Sequence, residues 1–447
     1  MAALSEKRAD IVRTLIEAAP DSAIRSLEAA LRGETAGGSL AAVKTIVDVE
    51  VHDRATRTAV FDPIAPLFAP RPDGFDQLLF PAVALSRLWR VLKRVRPDET
   101  AFAAVCPPRR SNEDFSPPVF DQLCQFAAGG LRSEAPEYDE VKSALEAAWP
   151  GATAELIACL DLAPIARSGL QQLPGWLARM TDERAAAARL MFKDAVAIAD
   201  DHGPRLIEIL FAHLAEPWTI LRVVSAVMLR PGDGYASVSE LADFGARLLR
   251  DVDRRVTEIK GFDYDGGAVA GRKAAEALRI AAAVSAEFDQ SLSMNRDGPW
   301  GDRLAKQKQA LAAQAEGHLK KLDKAVGEAL PMQPVRIGGR VMRQEPKLDS
   351  PPNPRTTQRA LALLNFFSGI RSTAAQSGYG SMRTKVGEDV AHRLDTYIEE
   401  LLAMLHAGDG GDPVLSRAHL DIVADFTGLV HDDQAAQIVR RRAAAAA

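Results

Sequence analysis

The sequence predicts an all-α protein, and three observations carry that prediction. Alanine is frequent while aromatic residues make up only 6% of the chain. Alanine combines the best helix propensity with little bulk, whereas sheets favour β-branched and aromatic side chains. Apolar residues recur every three or four positions along several long stretches, which is the period of one helix face. Proline or glycine closes most of these stretches, as helix ends require. The expected architecture is multi-helical bundles with a central antiparallel long-helix, coiled-coil-like rod and one short β-hairpin in a linker.

Hydrophobic residues at 47% against 26% charged supply the apolar area that a folded chain needs to offset its ordering entropy. A length of 447 residues suggests about two to four domains. The expected division is an N-terminal helical bundle (1–105), a middle helical region (106–235), a long-helix antiparallel bundle (236–332), a basic hairpin and proline-rich linker (333–356) and a C-terminal helical bundle (357–447).

In chain order, the first helices close at Pro20, run from Asp21 to Gly33 and open at Ser39. A proline-studded loop, Asp62 to Gly74, leads to PAVALSRLWRVLKRVR, Pro81 to Arg96. There Leu85, Leu88, Leu92 and Val95 share one stripe, while Arg87, Arg90, Lys93, Arg94 and Arg96 form a cationic set with Trp89 near the boundary. CPPRRSNEDFSPP, Cys106 to Pro118, holds too many prolines for a helix and reads as a linker. Shorter helices broken at Pro150, Pro164 and Pro174 are expected next, then one capped by Thr181 and reaching about Asp200. Leu206 to Leu229 is the most apolar region, but Glu208, His213, Glu216 and Arg222 interrupt it and Pro217 would kink it. It therefore reads as core rather than as a membrane span.

The rod begins at SVSELADF, where Ser237 and Glu240 form a capping box. Leu241, Phe244, Leu248, Val252, Val256 and Ile259 follow on one face. After the turn GFDYDGG, a second helix carries Leu278, Ala282, Ser285, Phe288 and Leu292, and a third carries Leu304, Leu311, His318, Leu322 and Ala325. Such helices predict a rod of roughly 40 Å at 1.5 Å per residue. PVRIGGRVMR then places two β-branched runs around Gly338-Gly339, the pair favoured in a two-residue hairpin turn. This hairpin is expected to pack on a helix, pair with another chain or stay mobile. QEPKLDSPPNP is a linker, and helices near Thr357–Ser377, Met382–His406 and Pro413–Val430 complete the chain. The alanine tail is expected to fray.

The sequence carries no phosphate loop, dinucleotide fingerprint, nucleophile elbow or HExxH motif. No histidine follows a glutamate by three residues, as a di-iron bundle would need, and His52-Asp53 and His431-Asp432 lack the order of a metal-dependent phosphohydrolase. Asp263 and Asp265 lack the remaining ligands of a calcium loop. Cys106, Cys124 and Cys159 show no metal or disulfide grouping. His213 reads as a core residue, His318 as a polar register residue in the rod seam, and Asp200, Asp201 and His202 as helix-end groups. No cofactor is expected.

The net charge of −5 disfavours nucleic acid as a partner. The reading is a non-enzymatic cytoplasmic scaffold or adaptor that binds a protein partner. Candidate contacts are Arg87, Trp89, Arg90, Lys93 and Arg94 on the basic helix, and Arg336, Arg340 and Arg343 on the hairpin. Two alternatives stand beside it. The basic helix of residues 81–96 would lie on an anionic membrane surface, with Trp and Leu dipping in while cations meet phosphates. Otherwise the chain is an all-α enzyme of unrecognised class, signalled by a polar pocket containing several of Asp200, Asp201, His202 and Glu208. A seam face left exposed would promote self-association.

Overall fold

Seventeen α-helices and one two-stranded sheet form the regular structure among the residues described by this computed structural model, 6–32, 39–95, 117–228, 241–292, 298–336 and 342–446. They belong to two compact units, Met1–Leu229 and Arg230–Ala447. The linker around Cys106, the Ser237/Glu240 capping box, Arg96, Arg340 and Gly338-Gly339 lie outside the described residues.

In the first unit, α1 (Glu6–Ala18), α2 (Asp21–Leu31) and α3 (Ser39–Phe61) close around Ile16, Ile24, Leu31 and Val47. The loop after α3 leads to α4 (Ala82–Val95), followed by α5 (Pro117–Arg132), α6 (Asp139–Ala148), α7 (Ala152–Ala178), α8 (Asp182–Ile198), α9 (His202–Ala212) and α10 (Ile220–Val227). Helix α5 packs against both α3 and α7, α6 packs on α4, and α7 also receives α8 and α9. Thr181 caps α8 by accepting from the Arg184 amide at 3.3 Å. The apolar run through α9 and α10 is core, with Leu206, Ile207, Ile209, Leu210, Ile220 and Val223 buried. No helix among the described residues is long and apolar enough to cross a membrane.

Helix α7 corrects one expectation. It runs unbroken for 27 residues through Pro164 and Pro174. Pro164 is half-buried and Pro174 exposed, so both rings lie away from the most buried face, which carries Leu156, Cys159, Ala163, Ala166 and Leu173. Burial of that face outweighs the local cost of about 3 kcal/mol for a proline inside a helix.

The second unit contains α11 (Ala242–Lys260), α12 (Gly267–Ser291), α13 (Pro299–Ala329), α14 (Pro354–Gly369), α15 (Gly380–Ala407), α16 (Pro413–Val430) and α17 (Asp433–Ala446). At 31 residues α13 is about 46 Å long. The seam residues Phe244, Leu248, Val252, Ile259, Leu278, Phe288, Leu304, Leu311 and Leu322 are buried. The seam is closed within the chain: α11 packs on α12 and α13, and α14 packs on α12 and α13, which completes a four-helix group. The α12–α14 contact is the most intimate. A Cβ on Gly271 would stand 2.1 Å from the Ala362 carbonyl oxygen, and one on Gly369 would stand 2.6 Å from the Ala275 Cβ. Helix α14 stops at Gly369, short of the expected Ser377, and residues 370–378 continue as turns.

The hairpin forms from β1 (Met332–Arg336) and β2 (Met342–Pro346). Its register sets Met332 opposite Pro346 and Arg336 opposite Met342. A two-residue turn on Gly338-Gly339 would instead have set Arg336 opposite Val341, so the ladder is offset by one residue from that expectation. The sheet packs on α15, where Arg343 pairs with Glu400. The linker beyond it is pinned rather than loose: Leu348 is buried, the Lys347 amide donates to the Pro331 carbonyl at 3.0 Å, and the Ser350 carbonyl accepts from His419 at 3.2 Å. The tail is helical through Ala446 and buries Ala436 and Val439.

Two glycines separate close packing from helix propensity. Gly271→Ala should destabilise the protein by about 1–3 kcal/mol through overpacking. Gly317→Ala, on the exposed face of α13 with open space around its Cβ position, should stabilise it by about 0.5–1 kcal/mol. Urea unfolding of the two variants measures both signs.

Candidate functional site

Helix α4 places the cationic set that the sequence singles out. Leu88 and Leu92 are fully buried, and Trp89, at 2% exposure, is buried with them. Its indole Nε1–H donates to Asp53 Oδ2 at 3.0 Å, and its ring meets Phe61 edge to face at 6.1 Å. Trp89 is therefore a core residue and not a boundary residue available to a membrane or partner. Lys93 also spends its charge inward, with Nζ 2.8 Å from the same Asp53 oxygen. Arg87 donates to the Glu140 carbonyl on α6 at 3.1 Å. Arg90 and Arg94 are exposed and form no ion pair among the described residues. The outward line is thus Val83, Arg87, Arg90 and Arg94, spaced 4, 3 and 4 residues apart on one face. Val83 is 44% exposed and Val95, at the helix end, 38%.

The hairpin cations are divided. Arg343 is committed to Glu400, and the hydrogen bond to that carboxylate raises the guanidinium pKa. Arg336 is exposed at the end of β1.

Of the polar residues weighed for catalysis, Asp201 and Glu208 are built into structural contacts, Asp200 is exposed, and His202 keeps its Nε2 buried without a hydrogen-bond partner. Asp201 accepts from Arg205 and from His202, whose Nδ1 lies 3.1 Å away, and these two contacts hold the Asp201 carboxyl below its usual range. Arg205 also reaches Glu155. Glu208 accepts from the Leu78 amide at 2.7 Å and so ties a loop to α9. His213 Nε2 donates to the Pro63 carbonyl at 2.9 Å. Asp265 accepts from Arg359 and Arg355, which lower its pKa. Among the described residues no group of three or more His, Cys, Asp or Glu side chains could hold a metal. Cys124 and Cys159 are buried free thiols, and burial pushes Cys124 up to about 12 and Cys159 higher still.

Two buried histidines share one arrangement. His318 Nε2 lies 2.9 Å from the Ile259 carbonyl, which can only accept, so Nε2 carries the proton and Nδ1 accepts from the Tyr264 hydroxyl at 2.7 Å. Lys321 donates to that hydroxyl oxygen at 3.0 Å. His419 repeats the pattern, with Nδ1 3.0 Å from Tyr397 Oη and Nε2 directed at the Ser350 carbonyl. Each histidine fastens an irregular segment to a helix.

Two larger cavities lie in the second unit. One, of about 470 Å³, opens between α12 and α13 beside residues 376–378, and the Lys308–Asp289 pair at 2.5 Å spans its polar side. The other, of about 450 Å³, lies among the ends of α15, α16 and α17. No protein-family model matches the chain, and neither the curated proteins nor the solved structures give a match.

Burial lowers the His318 pKa below its usual value, against the opposing effect of the Ile259 hydrogen bond. The unfolded state therefore binds a proton first as pH falls. The stability tied to neutral His318 should be complete above pH ~6.5 and decline as pH drops from there toward the folded pKa. Thermal unfolding between pH 7.5 and 5 should show this decline, and His318→Gln should flatten it.

Proposed function

We propose that this chain is a non-enzymatic helical scaffold or adaptor that holds an acidic helical segment of a protein partner along the outward line of α4. The observation that carries this reading is the split on α4: Trp89 and Lys93 are consumed by Asp53, while Arg90 and Arg94 face outward without an acidic partner among the described residues. Arg87, Arg90 and Arg94 match the spacing at which a second helix presents one face. Val83, on the same face, adds apolar contact at the start of the line. The absorption of Asp201, Glu208, His213, His318 and His419 into structural hydrogen bonds supports a non-enzymatic role. A reducing compartment such as the cytoplasm agrees with the buried free thiols of Cys124 and Cys159.

A peripheral membrane role is the competing reading, and burial of Trp89 removes the aromatic anchor it relied on. A fluorescent helical peptide with glutamates at i, i+4 and i+7 should bind the full chain with an affinity that falls as ionic strength rises. The triple change Arg87→Glu, Arg90→Glu and Arg94→Glu should weaken binding about tenfold or more while the melting temperature moves by only a few degrees. Peptide binding indifferent to salt and to this variant, or variant-sensitive sedimentation with anionic vesicles in place of peptide binding, would reject the adaptor reading.

A further inference from the structure

We infer that the acidic segment held by α4 belongs to a second copy of this chain, so that the α4 line and the carboxylates beside it form one self-complementary dimer surface. This inference rests on the α4 reading and names the partner of that line.

The carboxylates lie on the elements packed next to α4. A short 3₁₀ turn, Pro136–Tyr138, runs into α6, and both pack on α4. Tyr138 and Val141 are buried, which leaves Glu137, Asp139 and Glu140 outside, with Glu134 just before them. These four carboxylates are exposed and form no ion pair among the described residues. Neighbouring cations leave most of that charge unanswered: Arg132 is taken by Asp161, and Lys142, half-buried, turns to the Ser133 carbonyl. Arg87 holds the basic and acidic strips side by side, since its guanidinium donates to the Glu140 carbonyl at 3.1 Å.

Arg90 and Arg94 reach no carboxylate of their own chain among the described residues, although an acidic strip borders their helix. A two-fold rotation, the commonest symmetry of protein oligomers, lays each strip on its opposite and makes every contact twice. An acidic helix from another protein would answer Arg87, Arg90 and Arg94 but lie beside Glu137, Asp139 and Glu140, and like charges juxtaposed at an interface cost binding. A second copy answers both strips.

Light scattering across a size-exclusion column gives the mass of the full chain. At about 0.1–1 mM chain and about 20 mM salt the mass should approach that of two chains, and about 500 mM salt should return it to one. Arg90→Glu with Arg94→Glu should weaken association at least about tenfold, and Glu137→Lys with Glu140→Lys should do the same. The substituted side chains are all exposed, so melting temperatures should move by only a few degrees. An equimolar mixture of the two variants restores opposite charges across the two-fold and should recover the dimer. A wild-type chain that stays single at low salt, a dimer that both variants keep, or a mixture that stays single would overturn the inference. The acidic peptide separates the second copy from the wider adaptor role. Peptide bound by a wild-type chain that stays single removes the second copy and leaves the adaptor. Peptide ignored by the Glu137→Lys, Glu140→Lys variant, whose α4 line is open, while the mixture dimerises, does the reverse.

Discussion

Several helix C-termini among the described residues are held by arginine side chains from other elements, and much of the packing between those elements depends on that device. The last carbonyls of a helix have no partner within it, and a left-handed glycine after the last turn is the commonest local remedy. Here Gly408 is a C-cap of that kind, while Trp149, Arg179, Ala199, Met228 and Leu292 end their helices in extended conformation. At two of these ends and at four other helices, guanidinium groups reach the terminal carbonyls. Arg54 donates to the carbonyls of Ile16 and Ala19 at the end of α1, and Arg167 to those of Ala59 and Val60 at the end of α3. Arg71 serves Phe211, Ala212 and Leu214 after α9, and Arg184 serves Gly175 and Arg179 at the end of α7. Arg189 and Arg371 do the same at Ala226 and Val430. A cation at a helix C-terminus also meets the negative end of the helix dipole, so each contact docks two elements and satisfies buried acceptors together.

The second unit adds a steric constraint to this polar one. Gly271 and Gly369 let the backbones of α12 and α14 approach where a methyl group would collide. The helices of the four-helix group can then meet with alanine at much of the interface, and polar residues fix what small apolar contacts leave loose. Gln307 donates to the Leu249 carbonyl at 2.7 Å and to Asp253 at 2.6 Å, which sets α13 against α11. His318 joins the same two elements through Ile259, and Asn365 meets Arg272 across α14 and α12. The α12–α13 cleft lies at the level where α14 has ended and residues 376–378 replace it.

What the sequence disclosed was local. The burial of Phe244, Leu248, Val252 and Ile259 follows from their spacing, and Thr181 and Asp412 cap helices because their side chains reach amides two or three residues away. What it concealed depends on residues distant in the chain. Arg71 and Leu214 are 143 positions apart, and no periodicity links Trp89 to Asp53. The continuity of α7 through two prolines rests on neighbours supplied by α5, α8 and α9. The candidate surface was half legible: Arg90 and Arg94 stand where an amphipathic pattern puts them, but the same pattern cannot tell that Lys93 turns to an aspartate on α3. The cavity beside Arg417 was not legible at all, since its walls come from three helices, the last of them the alanine-rich tail.

These arginine roles also bear on how strongly α4 can hold a partner. A guanidinium that already serves two or three carbonyls is fixed and desolvated in the folded chain, so it has little left to offer a second molecule. Arg90 and Arg94 remain hydrated, and exposed ion pairs contribute only about 0.2–1 kcal/mol each. Even with Arg87 added, three such contacts fall well short of the roughly 8 kcal/mol that a micromolar complex requires. The apolar contribution must therefore come from Val83 and the partner's own side chains, with the cations setting register and the rate of encounter. An interface of this composition suits a reversible, salt-sensitive association rather than a permanent one.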